Sequence, residues 1–346
     1  MAKEYRGRHN KVKYLFINVA KELFEMGKGK SKHQAFLESY DKNRTRQSEA
    51  IHSYSTFCTY TEVVAKFGDF LYEKNIKYES NFRELPADKV YKYLDEYFEK
   101  QKANGLSKKT LEKHISALNK ILSHINPEVK KYFNADNRMR WRDGKETQDC
   151  DRYNNTDRIL ENLRKIDETS YAIAMIQLKT GARVGDVKKL TLDEENKRVF
   201  FPRSKGGRDR SVYFDRFQED FETVKQCKQI LDRALEEKRF SEIRENEYYN
   251  NLRKACRKAG DIYHGSHAFR YQFAQERYDK IRQWTPQEQE EYYRRILMDR
   301  DKSEKEIKKA IESVKERDAV AEAVVSEELG HSRLDISRQY LKLRAK

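Results

Sequence analysis

The sequence predicts a mainly helical protein of two domains, with one small β element in the second. Three observations carry this. The chain has 346 residues, long enough for two domains of roughly 150 residues, each with its own core. Apolar residues recur every three or four positions over most of the chain, the period of helices that bury one face. One stretch, "RVFFPRSKGGRDRSVYF", instead sets two β-prone runs around a Gly-Gly turn, the pattern of a hairpin.

The first helical stripe is Val12, Leu15, Phe16, Val19 and Leu23, inside a basic segment over 8–44. It suits an arm or an extra helical layer, so residues 1–45 are assigned to a basic helical N-terminal extension. Phe57, Tyr60, Val63, Val64, Phe67, Phe70 and Leu71 predict an amphipathic helix. A second set, Val90, Tyr91, Leu94, Tyr97 and Phe98, starts behind Pro86 and stops at "ANG"; a third, Leu111, Ile115, Leu118, Leu122 and Ile125, starts behind Ser107 and ends at "NP". Short links between them imply a compact helical domain over 46–133. The text from 134 to 155 has no period and many turn formers, and is assigned as an interdomain linker whose Arg and Lys could track a phosphate backbone.

The second domain is assigned to 156–346. "SYAIAMIQLKTG" reads as a buried helix, the hairpin follows, and helical patterns resume from Phe217. Residues 276–320 are dominated by Glu, Lys, Arg and Gln and suggest one or two exposed charged helices inserted in the domain. Such an insertion is tolerable as a surface excursion, since long loops add little closure entropy. Its small apolar face, Tyr292, Tyr293, Ile296 and Leu297, favours a contact to DNA or to a neighbouring subunit.

Charged residues make up 38% of the chain, with a formal net charge of +15, which favours a polyanionic partner, nucleic acid before an anionic membrane surface. No apolar run approaches the roughly 20 residues needed to span a bilayer, and the start "MAKEYRGRHNKVKYLF" lacks a signal peptide's apolar segment. The expectation is a soluble, intracellular protein. Cys58, Cys150, Cys227 and Cys256 have neither zinc-ligand spacing nor the density of a secreted scaffold, and read as reduced.

Four islands in the second domain carry the side chains needed to break a phosphodiester with an amino-acid nucleophile. They are "TGARVGDV" with Arg183 and Asp186; Lys205 at the tip of "RSKGGR"; "GSHAFRYQFA", with His267 and Arg270 on one helix face; and "LGHSRLDISRQY", with His331 and Tyr340. Each alone is weak. In this order they resemble the tyrosine recombinase (phage integrase) family, motif by motif over 155–346 and more loosely over 46–130, which is similar to that family's helical core-binding domain.

The chemistry suits each position. Attack on a phosphodiester builds negative charge on the non-bridging oxygens, and Arg183 and Arg270 can grip it bidentately. The Tyr340 hydroxyl is the nucleophile, and His267 is the base or proton partner that helps it lose its proton. Lys205 on a hairpin tip can protonate the departing 5′ oxygen as general acid, and His331 can add a hydrogen bond to the phosphate. Asp186 reads as structural support for the arginine-bearing turn. A phosphotyrosine link conserves the bond energy, so no cofactor, metal or ATP is expected, and no P-loop, carboxylate cluster or zinc pattern occurs in the sequence.

The resemblance implies a site-specific DNA recombinase that cleaves and rejoins strands through a 3′-phosphotyrosyl intermediate. It also implies a homo-tetramer on two duplexes, with the helical core-binding domain and the mixed α/β catalytic domain closing as a two-domain clamp on recombination sites of double-stranded DNA. It carries no membrane partner and no small-molecule substrate, and implies a cytoplasmic, nucleoid-associated protein of prokaryotic, phage or mobile-element type. A type IB topoisomerase or telomere resolvase shares these residues, and a catalytically silent DNA-binding protein could share the scaffold. Two features depart from a minimal member: the long interval from Arg270 to His331, and the short tail "LKLRAK" after Tyr340. That tail is too short for an independent docking helix, so subunit coupling is expected from 276–320 or 8–44.

Overall fold

The computed structural model describes residues 10–25, 38, 48, 50–141, 152–204, 208–236, 245–300, 302–315, 319–331 and 334–341. The chain divides into two compact units, Met1–Gln148 and Asp149–Lys346. None of the described helices is long and apolar enough to cross a membrane.

The first unit holds α1 (Lys11–Glu22), α2 (Tyr54–Glu73), α3 (Glu79–Arg83), α4 (Ala87–Ala103) and α5 (Lys108–Ile125), then a 3-10 turn (Pro127–Phe133) and α6 (Ala135–Trp141). The apolar stripes are the faces that meet: Phe16, Phe67, Leu71, Leu94, Phe98, Leu111 and Leu118 are buried in one core. Ser53 and Ser107 start α2 and α5 by accepting from the backbone N–H groups of Thr56 and Thr110.

α1 packs into this core, as the extra helical layer rather than the arm of the two readings of the basic segment; residues 1–9, 26–37 and 39–45 are outside the described residues. Asn10 caps α1 and donates through Nδ2 to the Gly68 carbonyl at 3.2 Å. The two helices approach so closely that a Cβ on Gly68 would lie 2.7 Å from Lys13 Cα. The stripe of α1 is therefore covered within its own unit and is not free to couple subunits.

The assigned linker, 134–155, is helical where it begins. Trp141 ends α6 buried, stacks on Phe98 with 5.2 Å between ring centroids and donates Nε1–H to the Tyr132 hydroxyl at 2.9 Å. Seven residues with one buried side chain offer no period to read. At the far end Tyr153 is buried in the second unit; residues 142–151 are outside the described residues.

The second unit runs α7 (Thr156–Ile166), α8 (Glu168–Thr180), α9 (Val184–Val187), β1 (Thr191–Asp193), β2 (Arg198–Ser204), β3 (Arg208–Tyr213), α10 (Gln218–Glu236), α11 (Glu245–Ala259), α12 (His267–Ile281), α13 (Pro286–Met298), α14 (Glu304–Lys315), α15 (Val320–Glu328) and α16 (Leu334–Leu341). The strands form an antiparallel sheet in the order β1-β2-β3, with Phe201 opposite Arg210 and an irregular register between Phe201 and Ser204. β1, only three residues, is an addition to the expected hairpin.

The stretch 276–320 does not form exposed charged helices. α13 and α14 bury Tyr292, Tyr293, Ile296, Leu297, Ile307, Ile311 and Val314 in the unit's own core, so the apolar face expected to meet DNA or a neighbour is already covered. The face of α13 was readable in the sequence, and its partner is the unit's own core; Ile307, Ile311 and Val314 of α14 were hidden by the polar majority, although three apolar positions in two turns suffice for a buried face. Tyr292 reaches a buried ion pair, with Arg277 Nη2 2.7 Å from Glu328 Oε1 and the Tyr292 hydroxyl donating to the same oxygen at 2.7 Å.

Candidate active site

α8 ends at Gly181, which turns the chain with φ of 63°. The turn is braced from inside: buried Gln177 donates Nε2–H to the Ala182 carbonyl at 3.0 Å and accepts from the Tyr248 hydroxyl at 2.7 Å. The chain then presents half-buried Arg183 as the N-cap of α9. Asp186 Oδ2 stands 3.8 Å from Arg183 Nη1 and accepts from Ser204 Oγ at 2.7 Å. It thus ties the arginine turn to the end of β2, directly before the hairpin turn; Lys205, in that turn, is outside the described residues.

α12 starts behind Gly265, at φ of 79°, whose carbonyl accepts from the Tyr153 hydroxyl at 2.9 Å. Ser266 occupies the N-cap, His267 is exposed at the first position, and Arg270, one turn on, is fully buried. Arg183, Ser266, His267 and Arg270 line one open cleft of about 190 Å³, with Glu245 and Tyr249 of α11 along it.

Arg270 joins the cleft to the end of α15. Its Nη1 donates to the Gly181 carbonyl, and its Nη2 donates to the Leu329 carbonyl at 2.5 Å and meets His331 Nε2 at 3.1 Å. A guanidinium only donates, so Nε2 of His331 accepts and the ring's proton sits on Nδ1. Burial, then repulsion from Arg183, pulls the Arg270 pKa down to about 10, against attraction from Tyr340 and Asp186; the group stays cationic at neutral pH.

Gly330, at φ of 71°, leads out of α15 to His331, whose N–H bonds the Ser326 carbonyl at 2.8 Å. Tyr340 comes from α16. Its ring lies 4.4 Å from that of Tyr271 and 5.6 Å from that of His331, with the Arg270 guanidinium carbon 5.5 Å from its centroid. The Gln275 side chain donates to the Tyr340 carbonyl at 3.1 Å. Tyr340 is 9% exposed and is not among the residues that line the cleft. The structure therefore brings Arg183 and His267 into one cleft with Arg270, sets His331 and Tyr340 against the same Arg270, and holds Asp186 beside Arg183.

Sequence reasoning missed Arg210 and Gln177. Both act on backbone carbonyls, for which a sequence carries no motif. The one readable sign for Arg210 is that it alternates with Val212 along β3, an arginine at an inward position.

Compared with known proteins, residues 152–280 match the Phage integrase family. That segment includes Arg183, Lys205, His267 and Arg270 and stops short of His331 and Tyr340. Among solved structures, "Crystal structure of XerA recombinase" is a distant likeness at 15% identity and a TM-score of 0.36, covering 90% of this chain and 93% of its own. No curated protein matches the chain.

Proposed function

From the premise that its second unit carries a domain of the phage integrase family over 152–280, which makes the chain a tyrosine recombinase, we propose that this protein breaks and rejoins DNA strands at recombination sites with Tyr340 as nucleophile. The Tyr340 oxygen attacks the scissile phosphorus, the bond from phosphorus to the 5′ oxygen breaks, and a 3′-phosphotyrosyl link forms. Arg183 and Arg270 hold the charge that builds on the non-bridging oxygens. His267, exposed at the cleft, takes the tyrosine proton, and Lys205 delivers a proton to the 5′ oxygen. His331 donates through Nδ1, since its Nε2 is engaged by Arg270. A partner strand's 5′ hydroxyl reverses the step. Tyr340, largely covered here, has to leave its place between Tyr271 and His331 to reach a phosphate in the cleft. Four copies acting on two duplexes, each duplex gripped by both units of a chain, a Holliday-junction intermediate and a mobile-element or nucleoid setting belong to the same proposal.

The observation that carries the reading is the place of Arg270, which lines one cleft with Arg183 and His267 and also meets His331 and the ring of Tyr340, the last two outside the segment that matches the family. The test is a nicked suicide duplex incubated with the full chain. An SDS-stable protein–DNA complex is expected for the wild type and none for Tyr340→Phe. Two differently labelled duplexes then separate the reactions. Exchanged strands support recombination, whereas plasmid relaxation without exchange would count for a topoisomerase.

A further inference from the structure

Two arginines span the same pair of turns. Arg270 bonds the carbonyls of Gly181 and Leu329. Arg210, from β3, bonds the carbonyls immediately before them in sequence, donating through Nη1 alone to Thr180 at 3.0 Å and to Glu328 at 2.5 Å. The two guanidinium groups make successive rungs between the end of α8, which delivers Arg183, and the end of α15, which delivers His331.

Arg210 is 1% exposed, with its guanidinium carbon 4.1 Å from the ring centre of its cross-strand partner Phe201. Its Nε and Nη2 have no hydrogen-bond partner among the described residues, and burial followed by repulsion from Arg270 pushes its pKa well down. A buried cation with unpaired N–H groups is a poor stabilising device, and an apolar side chain of similar volume often does as well. An apolar side chain cannot hold carbonyls from two separate turns at one point.

We propose that Arg210 is a positioning residue for the reaction at Tyr340, fixing the Arg183 turn to the His331 turn while Arg270 engages the phosphate. The inference rests on the recombinase reading. Three of the five N–H groups of Arg270 hold Gly181, Leu329 and His331, and its Nε has no partner among the described residues, so a guanidinium that shifts to grip a phosphate oxygen bidentately loosens the bonds that now tie the two turns. Arg210 does not line the cleft, and its rung stays closed whichever bonds Arg270 makes. Because a single nitrogen makes both of its bonds, a lysine ammonium, one bond shorter, can still bond both carbonyls after a small shift of the turns, whereas Arg270 uses two nitrogens and cannot be replaced so.

The test is single-turnover cleavage of a nicked suicide duplex at saturating full-length protein, with DNA affinity and thermal unfolding measured in parallel and all rates taken below the lowest unfolding midpoint. Arg210→Met is expected to slow cleavage about 100-fold with affinity changed less than about threefold, and Arg210→Lys to stay within about tenfold of the wild type. A folded Arg210→Met that cleaves within about threefold of the wild type overturns the proposal, as does a folded Arg210→Lys slowed about 100-fold. If Arg210→Met does not fold, the lysine variant decides alone. A wild type that forms no covalent complex strikes the recombinase reading, and this inference with it; a wild type that cleaves alongside an equally fast Arg210→Met strikes only the inference.

Discussion

At Gly181 the backbone takes a φ of 63° in a space where an added Cβ would meet Phe273 Cδ1 at 2.5 Å and Leu329 Cδ2 at 2.8 Å. Gly181→Ala is therefore expected to destabilise the second unit by about 1–3 kcal/mol, through strain and overpacking together. Urea unfolding checks this, and an unchanged midpoint contradicts it. Arg183→Lys replaces a planar fork with a point charge in the same cleft. Strand cleavage should fall about 100- to 1000-fold while DNA affinity changes little, read as covalent complex against time. Arg183, Arg270, His331 and Tyr340 could be singled out as candidates in the sequence because each carries its chemistry in its own side chain and sits in an ordered series of motifs. Gln177 and Arg210 could not, because their work is done on carbonyls that every residue possesses.

Helix α14, with Ile307, Ile311 and Val314 buried, shows what a polar majority conceals, and α13 shows an apolar face whose partner the sequence does not name. Arg277 and Glu328 are both almost fully buried and form an ion pair shared with Tyr292. Breaking it leaves a buried carboxylate with no cation and only the Tyr292 hydroxyl on it, so Arg277→Met should cost about 3–5 kcal/mol in denaturant unfolding. A loss under about 1 kcal/mol contradicts the burial described. α13 begins with a capping box in which Thr285 Oγ1 accepts from the Glu288 N–H and the Glu288 carboxylate reaches back to the Thr285 N–H. Thr285→Ala should cost about 1 kcal/mol. The bond from the Thr285 N–H, then Arg216 and the Thr285 hydroxyl, holds the Glu288 carboxyl down to about 2. The folded pKa lies below the unfolded value of about 4.3. Its contribution is therefore complete above that pH and lost as pH falls toward 2, and Glu288→Gln should remove that part of the acid sensitivity. Midpoints for both proteins near pH 6 and pH 3 check the sign. Helices α2, α4 and α5 were legible because their stripes fill a dedicated bundle core. α6 was not, because a single tryptophan carries its burial.

Taken whole, the chain has a formal net charge of +15 and two units whose division falls between Gln148 and Asp149. That point lies inside the aperiodic stretch, where the sequence could mark a break but not its edges. The basic balance sets an expectation for binding: affinity for duplex DNA should fall steeply with salt, by about 1000-fold or more between about 50 and 200 mM if six or more phosphates are neutralised. Fluorescence anisotropy across that range measures it, and a flat response contradicts a backbone-gripping protein. Deleting 286–315 should abolish cooperative folding of the second unit, since seven buried apolar side chains leave with it; retained cooperative unfolding in calorimetry contradicts the place given to α13 and α14. The central claim is that the cation cluster around Arg270 serves a tyrosine attacking phosphorus. Its most direct test is to digest the covalent complex trapped on a nicked suicide duplex and locate the modified peptide by mass spectrometry. The account predicts a single nucleotide-bearing peptide, modified on Tyr340 through a 3′-phosphate; an adduct on any other residue, or an undiminished one from Tyr340→Phe, contradicts it.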